Sequence, residues 1–337
     1  MLTLEEIEKY DPQKMFKAYD NWPMLARDAF KKDFSKIDLK DIDHVVLSGM
    51  GGSGAIGDII AAILSREDIH VSVVKGYLLP KTVDEKTLVI NTSISGNTKE
   101  TLSILDYKLK SNAKFVAISS GGMMEKKCKE SSITHFNIPM IHSPRASFVT
   151  FLYAILNIFE NSLPIEKLEV LESLEKMDEL QRSINSDHLD GNNPALRLAE
   201  NMNLSPLIYY PDGFKAAAIR FKNSLQENSK IHASIEDIIE ASHNSISIWE
   251  NQNNYKPILL QGSDDFIKTK ERWSIIKEYF AKRNIDYEEI FSVEGNIISK
   301  LVCLIYLLDY TSIYRAILSK TDPSPVNAIN FVKERLN

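Results

Sequence analysis

Short hydroxylated side chains cluster at Ser93, Ser95 and Thr98, in a segment (residues 93–98) that we call the serine loop. It follows an apolar run, LVI, and precedes a helical pattern, so a strand, a turn and a helix N-terminus are expected here. Hydroxyl groups and the N–H groups of a helix N-terminus bind anions, and Gly96 lets the backbone approach closely. The loop has no lysine and the chain has no GxxxxGK[ST] motif, which disfavours a nucleotide triphosphate with magnesium. A single phosphate monoester fits better.

The serine loop also has a purely structural explanation. Thr98 and Thr101 both carry hydroxyl groups of the kind that cap helix N-termini, and capping turns are common. Taken alone, the loop is therefore as compatible with a helix cap as with a phosphate site.

A second small-residue turn, GMGGSG at residues 49–54, also follows an apolar run and opens a helical pattern; we call it the glycine loop. It matches the GxGxxG pattern of dinucleotide-binding folds, which also need an acidic residue about 20 positions further on, at the end of the next strand. Residues 71–75 contain no acid, so a nicotinamide-dependent dehydrogenase is only an outside alternative. Two such turns after neighbouring strands predict a cradle for one phosphate, to which the glycine loop contributes Gly52 and Ser53.

Apolar runs alternate with helical patterns in the first half of the chain and again in the second half. Continuous apolar strands separated by helices are typical of parallel sheets covered on both faces. We therefore predict an α/β fold with two similar subdomains, each a mainly parallel sheet flanked by helices. The expected strands are 45–47, 71–74, 87–90, 114–118, 133–138, 207–210, 257–260 and 289–293.

The length of 337 residues suggests two domains. The segment 148–184 is expected to be helical, and the polar, turn-rich segment 185–194 is the best linker candidate. We predict an N-terminal domain over residues 1–160 that carries the phosphate-binding loops, a helical connector over 161–200, and a C-terminal domain over 201–337.

Charge and apolar patterning narrow the range of partners. The net charge is −6 without a basic run, which argues against nucleic-acid binding. The apolar runs 151–159 and 301–308 are shorter than the roughly 20 residues that cross a bilayer, and the N-terminus lacks a secretion signal, so no membrane association is expected.

Cys128 and Cys303 lack CxxC partners and fit a reducing cytoplasm. No HxH or HExxH grouping occurs, and neither a metal nor another cofactor is expected.

Several motifs together resemble the SIS (sugar isomerase) domain: GMGGSG in the glycine loop, SISGNTKETL from Ser93, and PRASF around Arg145. More narrowly, the chain resembles the bifunctional phosphoglucose/phosphomannose isomerases of archaea and some bacteria. In the second half, QENSK with Glu227, SHNSI with His243 and the closing FVKERL with Lys333 resemble motifs of that family. The SGNT sequence alone marks only the SIS superfamily, whereas the combination is much more specific and spans nearly the whole chain.

The sequence departs from the family pattern in a few places. Ser229 and Ser245 stand where the family often has alanine and glutamate, PRASF replaces PRAAL, and the Tyr-Gly segment before the catalytic helix reads YYPDG. None of these changes removes a chemical group that the family's reaction needs.

The resemblance implies aldose–ketose isomerisation through a cis-enediol(ate). The substrate is a small sugar phosphate, whose phosphate would be held by Gly52, Ser53, Ser93, Ser95 and Thr98. Such a reaction needs a base, a group that opens the sugar ring, and positive charge near the developing oxyanion.

The resemblance assigns these tasks to four residues. Glu227 would be the base, although a glutamate near Lys230 equally fits an ordinary helix-surface carboxylate. His243 would act as acid or base in ring opening, and Lys333 would assist it from a helix that packs back over the site. Arg145, stiffened by the preceding proline, would stabilise the enediolate.

In the resembled family this histidine comes from the neighbouring subunit, which implies a homodimer with the active site at its interface. Rotation about the C2–C3 bond of the sugar would let one base serve both glucose and mannose 6-phosphate. A strict glucose 6-phosphate isomerase is the alternative among enzymes. A SIS-domain sensor that binds a sugar phosphate without converting it is the alternative of another class, but it would not need both Glu227 and His243.

Overall fold

The computed structural model of the protein describes residues 2–37 and 41–336. Within these residues, two separate sheets are present, and all neighbouring strands in each sheet run parallel. The strands of the first sheet are β1 (His44–Ser48), β2 (His70–Val74), β3 (Thr87–Ser93), β4 (Lys114–Ser119) and β5 (Thr134–Asn137). The strands of the second sheet are β6 (Ser205–Tyr210), β7 (Ser234–Asp237), β8 (Tyr255–Gln261) and β9 (Glu288–Phe291).

Helices flank both sheets, which confirms the predicted α/β class. They are α1 (Leu4–Tyr10), α2 (Met15–Asp20), α3 (Trp22–Lys31), α4 (Gly51–Ile63), α5 (Lys99–Leu105), α6 (Gly122–Glu130), α7 (Phe148–Ile158), α8 (Lys167–Ile184), α9 (Pro194–Glu200), α10 (Lys215–Ser224), α11 (Ile238–Ala241), α12 (Ile267–Arg283), α13 (Ile297–Leu318) and α14 (Asn327–Arg335).

The first sheet has the strand order β2-β1-β3-β4-β5. Every residue of β1 and β3 is buried, as expected for the central strands of a parallel sheet with helices on both faces. The chain runs from β1 outward to β2 and then returns to β3 on the other side of β1. This reversal is a topological switch point, and open α/β sheets bind ligands beyond the carboxyl ends of the strands at such a point.

The second sheet has the order β7-β6-β8-β9. Its strand β7 was not among the strands expected from the sequence. The segment reads SIED, is only half-buried and forms one edge of the sheet, so it lacks the continuous apolar run by which the other strands were recognised.

Contacts divide the chain into two compact units. The first unit contains the first sheet and comprises Asn21–Glu175 with Asn296–Ser299. The second unit contains the second sheet and comprises the chain up to Asp20, Lys176–Gly295 and the chain from Lys300 onwards. The domain boundaries expected at residues 160 and 200 stay predictions.

One helix, α13, is long and apolar enough to cross a membrane by length and composition alone. However, 89% of its most apolar window is buried inside the protein. It is therefore a core helix, in agreement with the interpretation of the apolar run 301–308.

Candidate functional site

The glycine loop and the serine loop meet at the carboxyl ends of β1 and β3. These strands are parallel neighbours, and the last residue of β1, Ser48, lies opposite Asn91. The buried Ser53 hydroxyl then accepts a hydrogen bond of 3.1 Å from the backbone N–H of Ile94. The structure therefore brings the two loops together at the switch point of the first sheet. Gly52 lies beside Ser53 in the first turn of α4 and is half-buried.

Within the serine loop, the hydroxyl groups are turned towards one another and not towards the helix that follows. Ser93 Oγ donates a hydrogen bond of 3.2 Å to Thr98 Oγ1. Thr98 occupies the N-cap position of α5, yet its side chain makes no capping hydrogen bond. Thr101 Oγ1 donates instead to the Thr98 carbonyl at 2.9 Å. Neither threonine therefore caps the helix. Because the Thr98 hydroxyl accepts a hydrogen bond from Ser93, its own proton remains available for a further acceptor.

Ser95 is half-buried at the tip of the serine loop, where its Oγ accepts a hydrogen bond of 3.4 Å from the Asn97 N–H. Gly96, the next residue, has a φ of +69°. A Cβ atom at this position would lie 1.9 Å from the carbonyl oxygen of Gly121. Only glycine fits this close approach, which explains the glycine in the loop without reference to a ligand.

A third turn, residues 120–122 after β4, supports the serine loop from the side; we call it the bracing loop. Ser120 donates a backbone hydrogen bond of 3.1 Å to Ile94, and Met124 donates one of 2.9 Å to Gly96. The sequence analysis did not identify this element. Its signal was present, because the sequence SSGG follows an expected strand in the same way as the other two turns do.

Arg145 follows the end of β5 by eight residues, in the connection between β5 and α7. The residue is 6% exposed. Its near neighbour Ser147 fixes the turn, since the carbonyls of Ile141 and Ser143 lie 3.0 and 2.8 Å from the Ser147 hydroxyl and share its one proton. Trp22 Nε1 donates to the Ala146 carbonyl at 2.9 Å. The departure of PRASF from PRAAL thus adds a hydroxyl group that holds the backbone next to Arg145.

Glu227 lies in the second unit, where α10 continues into one turn of π-helix, Leu225–Ser229. Such wider turns frequently occur at functional sites. The two residues after Glu227 are anchored to α13, because Asn228 Nδ2 donates to Ser312 Oγ at 2.8 Å and Ser229 Oγ donates to the Ser312 carbonyl at 2.6 Å. Glu227 itself stays half-buried, so its carboxylate is held on a fixed backbone without being enclosed.

A buried ion pair lies on the same helix. Arg220 Nη2 is 2.6 Å from Asp309 Oδ2, and Ser224 Oγ donates to Asp309 Oδ1 at 2.6 Å. Burial disfavours the charged guanidinium and is the largest single effect, but the Asp309 carboxylate, together with Tyr19 and to a smaller extent Glu227, outweighs it and raises the pKa of Arg220. This permanent cation therefore belongs to the electrostatic environment of Glu227.

His243 and Lys333 lie on other parts of the second unit. Glu227 precedes β7, whereas His243 follows β7 and α11, so the two residues lie beyond opposite ends of that strand. His243 is exposed, and so is Lys333 on α14, a helix in which no residue is buried. The described chain thus presents His243 and Lys333 at its surface. The glycine loop, the serine loop and Arg145 belong to the first unit.

Neither cysteine is suited to nucleophilic chemistry. Both are buried and unpaired, and burial raises the pKa of Cys128 to about 11 and that of Cys303 to about 12. Both thiols therefore stay protonated near neutral pH.

Comparisons with known proteins agree on one family. Residues 38–157 match the SIS domain, and residues 191–336 match the bacterial phospho-glucose isomerase C-terminal SIS domain. A bifunctional phosphoglucose/phosphomannose isomerase from Caldicellulosiruptor bescii is 31% identical over 334 residues, which cover 96% of this chain and 98% of that protein. The protein of the same name from Aquifex aeolicus is 30% identical over 311 residues, which cover 90% and 93% of the two chains.

Solved structures show the same fold in more distant proteins. The C-terminal domain of glucosamine-fructose-6-phosphate aminotransferase from Francisella tularensis superposes with a TM-score of 0.68 at 19% identity. The superposition covers 92% of this chain and 96% of that chain. At this level of identity the likeness concerns the fold alone.

Proposed function

Because this chain belongs to the bifunctional phosphoglucose/phosphomannose isomerase family, we propose that it interconverts glucose 6-phosphate and mannose 6-phosphate with fructose 6-phosphate. The observation that carries this proposal is the cluster of hydroxyl groups at the β1–β3 switch point. There Ser53 links two loops, and the Thr98 hydroxyl is not used for helix capping.

The hydroxyl cluster would bind the substrate's phosphate. Ser95 and Thr98 would donate their hydroxyl protons directly, and Ser93, which donates to Thr98, would orient that hydroxyl, while Gly52 and Ser53 contribute the first turn of α4. The first N–H groups of a helix have no partner within the helix, and its dipole favours an anion. The serine loop itself contains no lysine, which suits a phosphate monoester held by neutral donors.

The chemical step in this proposal is a proton transfer between C2 and C1. The Glu227 carboxylate removes the proton from C2 of the open-chain aldose while the carbonyl O1 gains a proton, which gives the cis-enediol(ate). Glu227 then returns its proton to C1 and the O2 proton is lost, which gives the ketose. Arg145 would stabilise the negative charge that develops on the oxygen atoms.

Ring opening would fall to His243 and Lys333. Imidazole can both give and take a proton near neutral pH. The exposure of His243, and its separation from Glu227 by the length of β7, support a site that a neighbouring subunit completes. We therefore propose a homodimer in which His243 serves the active site of its partner.

A coupled assay with glucose, mannose and fructose 6-phosphates, in buffer treated with a chelator, tests the reaction. Glu227→Gln should lose turnover by roughly a thousandfold, the usual range for a general base, while it still binds the sugar phosphate. The exposed Glu200→Gln serves as the matched control and should keep full activity. Equal activity in Glu227→Gln would reject Glu227 as the base.

The same assay separates the alternatives. Turnover of glucose but not mannose 6-phosphate would identify a strict glucose 6-phosphate isomerase. Binding of all three sugars without turnover by the wild type would identify a sensor.

Subunit complementation tests the dimeric site. Glu227→Gln and His243→Asn should each be inactive alone. If Glu227 and His243 act in trans, each mixed dimer contains one intact site, and a random mixture regains about a quarter of wild-type activity. A mixture that stays inactive, although mixed dimers are shown to form, would place both residues in one chain's site.

A further inference from the structure

A chamber of about 300 Å³ opens in the second unit at the amino edge of its sheet, beside Ser205, the first residue of β6. Its wall also includes Asn203, Asn254 and Ile231. Among the described residues that line it, Arg315 on α13 is the only charged one. The chamber lies at the edge of the sheet opposite to the carboxyl ends at which α/β folds ordinarily bind their substrates.

Arg315 has no counter-charge in the part of the chain that the structure describes. Its Nε atom is buried and makes no hydrogen bond, and no described carboxylate forms an ion pair with it. Burial lowers the pKa of Arg315, although a guanidinium remains charged near neutral pH. Arg220, on the neighbouring helix α10, is the contrasting case, because the Asp309 carboxylate forms an ion pair with it and is itself held by the Ser224 hydroxyl. A half-buried cation without a partner is costly, and an oxyanion would remove that cost.

A larger cavity of about 860 Å³ adjoins the chamber, since Asn203, Leu204 and Asn254 line both. Its charged residues balance: Glu250 and Asp286 are acidic, and Lys256 and Arg283 are basic. The net positive charge therefore lies in the chamber alone. The asparagines of the larger cavity supply neutral donors and acceptors suited to hydroxyl groups; they are Asn201, Asn203, Asn251, Asn253, Asn254 and Asn284.

We propose that the chamber binds, through Arg315, the oxyanion of a small polyhydroxylated metabolite, with its hydroxyl groups in the asparagine-lined cavity. The oxyanion is a phosphate or a carboxylate, since a guanidinium forms paired hydrogen bonds with either. This site is separate from the serine loop, and its existence does not depend on the proposed isomerase reaction.

The position of the chamber also links it to the segment that carries Glu227. Ile231, in the chamber wall, donates a backbone hydrogen bond of 3.3 Å to the carbonyl of Leu225, where the π-helix begins. Ser312, one turn before Arg315 on α13, holds Asn228 and Ser229. The chamber wall therefore includes residues of both elements that fix the backbone of Glu227. If the proposed reaction is right, occupancy of the chamber regulates turnover.

A titration of the full-length protein with inorganic phosphate at constant ionic strength tests the site. The ¹⁵Nε resonance of Arg315 is identified by its loss in Arg315→Lys. We expect it to shift saturably, and to do so equally in Thr98→Val, in which the proposed catalytic phosphate site is impaired. The exposed Arg182 provides the internal control, and its resonance should not move.

A second titration with acetate distinguishes a phosphate ligand from a carboxylate ligand. A shift of the Arg315 resonance with phosphate only indicates a phosphate site, and a shift with acetate as well indicates a site that also accepts carboxylates. If neither anion moves the resonance, or if Arg182 moves in parallel, the proposal is wrong. Thermal unfolding gives an independent measurement, because phosphate should raise the melting temperature of Thr98→Val but not that of the Thr98→Val/Arg315→Gln double variant. Equal stabilisation of the two would also contradict the proposal, and none of these readouts depends on turnover.

Discussion

The hydroxyl oxygen of Ser53 lies 3.1 Å from the backbone nitrogen of Ile94 and accepts its hydrogen bond. The two residues are 41 positions apart in the chain, and both are buried. Through this one contact the first turn of α4 fixes the position of the serine loop. The geometry of the proposed phosphate site therefore depends on this contact between the two loops.

Ser53→Ala should weaken both the fold and substrate binding. The buried Ile94 N–H would lose the acceptor that the Ser53 hydroxyl provides, which costs about 1–3 kcal/mol of stability. Because the loop is then less well fixed, we expect the KM for the sugar phosphate to rise roughly tenfold. Urea unfolding and steady-state kinetics measure the two effects. The exposed Ser65→Ala is the control, and an equal effect there would contradict the assignment.

Thr98→Val and Thr101→Val should separate binding from stability. The Thr98 hydroxyl caps no helix but accepts the hydrogen bond of the buried Ser93 hydroxyl, so its loss should cost up to about 1 kcal/mol of unfolding free energy while the KM rises roughly tenfold. The buried Thr101 hydroxyl bonds the Thr98 carbonyl, so its loss should cost about 1 kcal/mol and change KM little. The reverse pattern would mean that Thr98 is structural.

Gly96→Ala should destabilise the protein strongly. Alanine at a φ of +69° is strained, and its Cβ would overlap the Gly121 carbonyl, which together cost at least about 2 kcal/mol. Gly76→Ala is the matched control, because a Cβ there meets no atom within 4 Å. Its unfolding free energy should change by less than about 0.5 kcal/mol. Similar denaturation midpoints for both variants would show that the bracing loop moves to accommodate the added Cβ atom.

Asp309→Asn should leave the Arg220 charge buried without compensation. We expect a loss of roughly 3–5 kcal/mol in unfolding free energy, the usual cost of breaking a buried ion pair from one side. The exposed pair of Lys282 and Glu278 is the comparison, and Glu278→Gln should cost far less, because water screens an exposed ion pair. If the two variants unfold alike in urea, the Arg220–Asp309 pair is not a determinant of stability.

The stability of the first unit should fall as the pH drops below about 6.5, the ordinary pKa of histidine. The pKa of His44 is lowered by its burial and then by the nearby His70, and the pKa of His135 is lowered by burial. Above that pH, His44 and His135 are neutral in both the folded and the unfolded chain. Below it, the two histidines bind protons in the unfolded chain before they do so in the folded chain, so the free energy of unfolding decreases.

Unfolding by urea between about pH 5 and pH 8 measures this dependence. His44→Gln with His135→Gln should flatten the profile, whereas the exposed His188→Gln should not. An unchanged slope in the double variant would show that other groups determine the acid sensitivity.

The sequence by itself determined the fold class and the place of the two small-residue turns proposed to bind phosphate. Strands such as β1 and β3 are recognisable because a strand buried on both faces is apolar at every position. The two turns that follow them consist of small residues at helix starts, a pattern that indicates anion binding because the first N–H groups of a helix have no partner within it. The edge strand β7 was missed because its half-buried sequence has no such run.

Only the tertiary structure decided how the chemistry-bearing residues are supported. It pairs Ser53 with Ile94, Arg220 with Asp309 and Ser229 with Ser312, which are contacts across 41, 89 and 83 positions. It also shows that Thr98 does not cap its helix and that Arg315 lacks a counter-charge among the described residues. Local patterns report the backbone that a segment prefers, whereas the partner of a polar side chain depends on which distant segment packs against it.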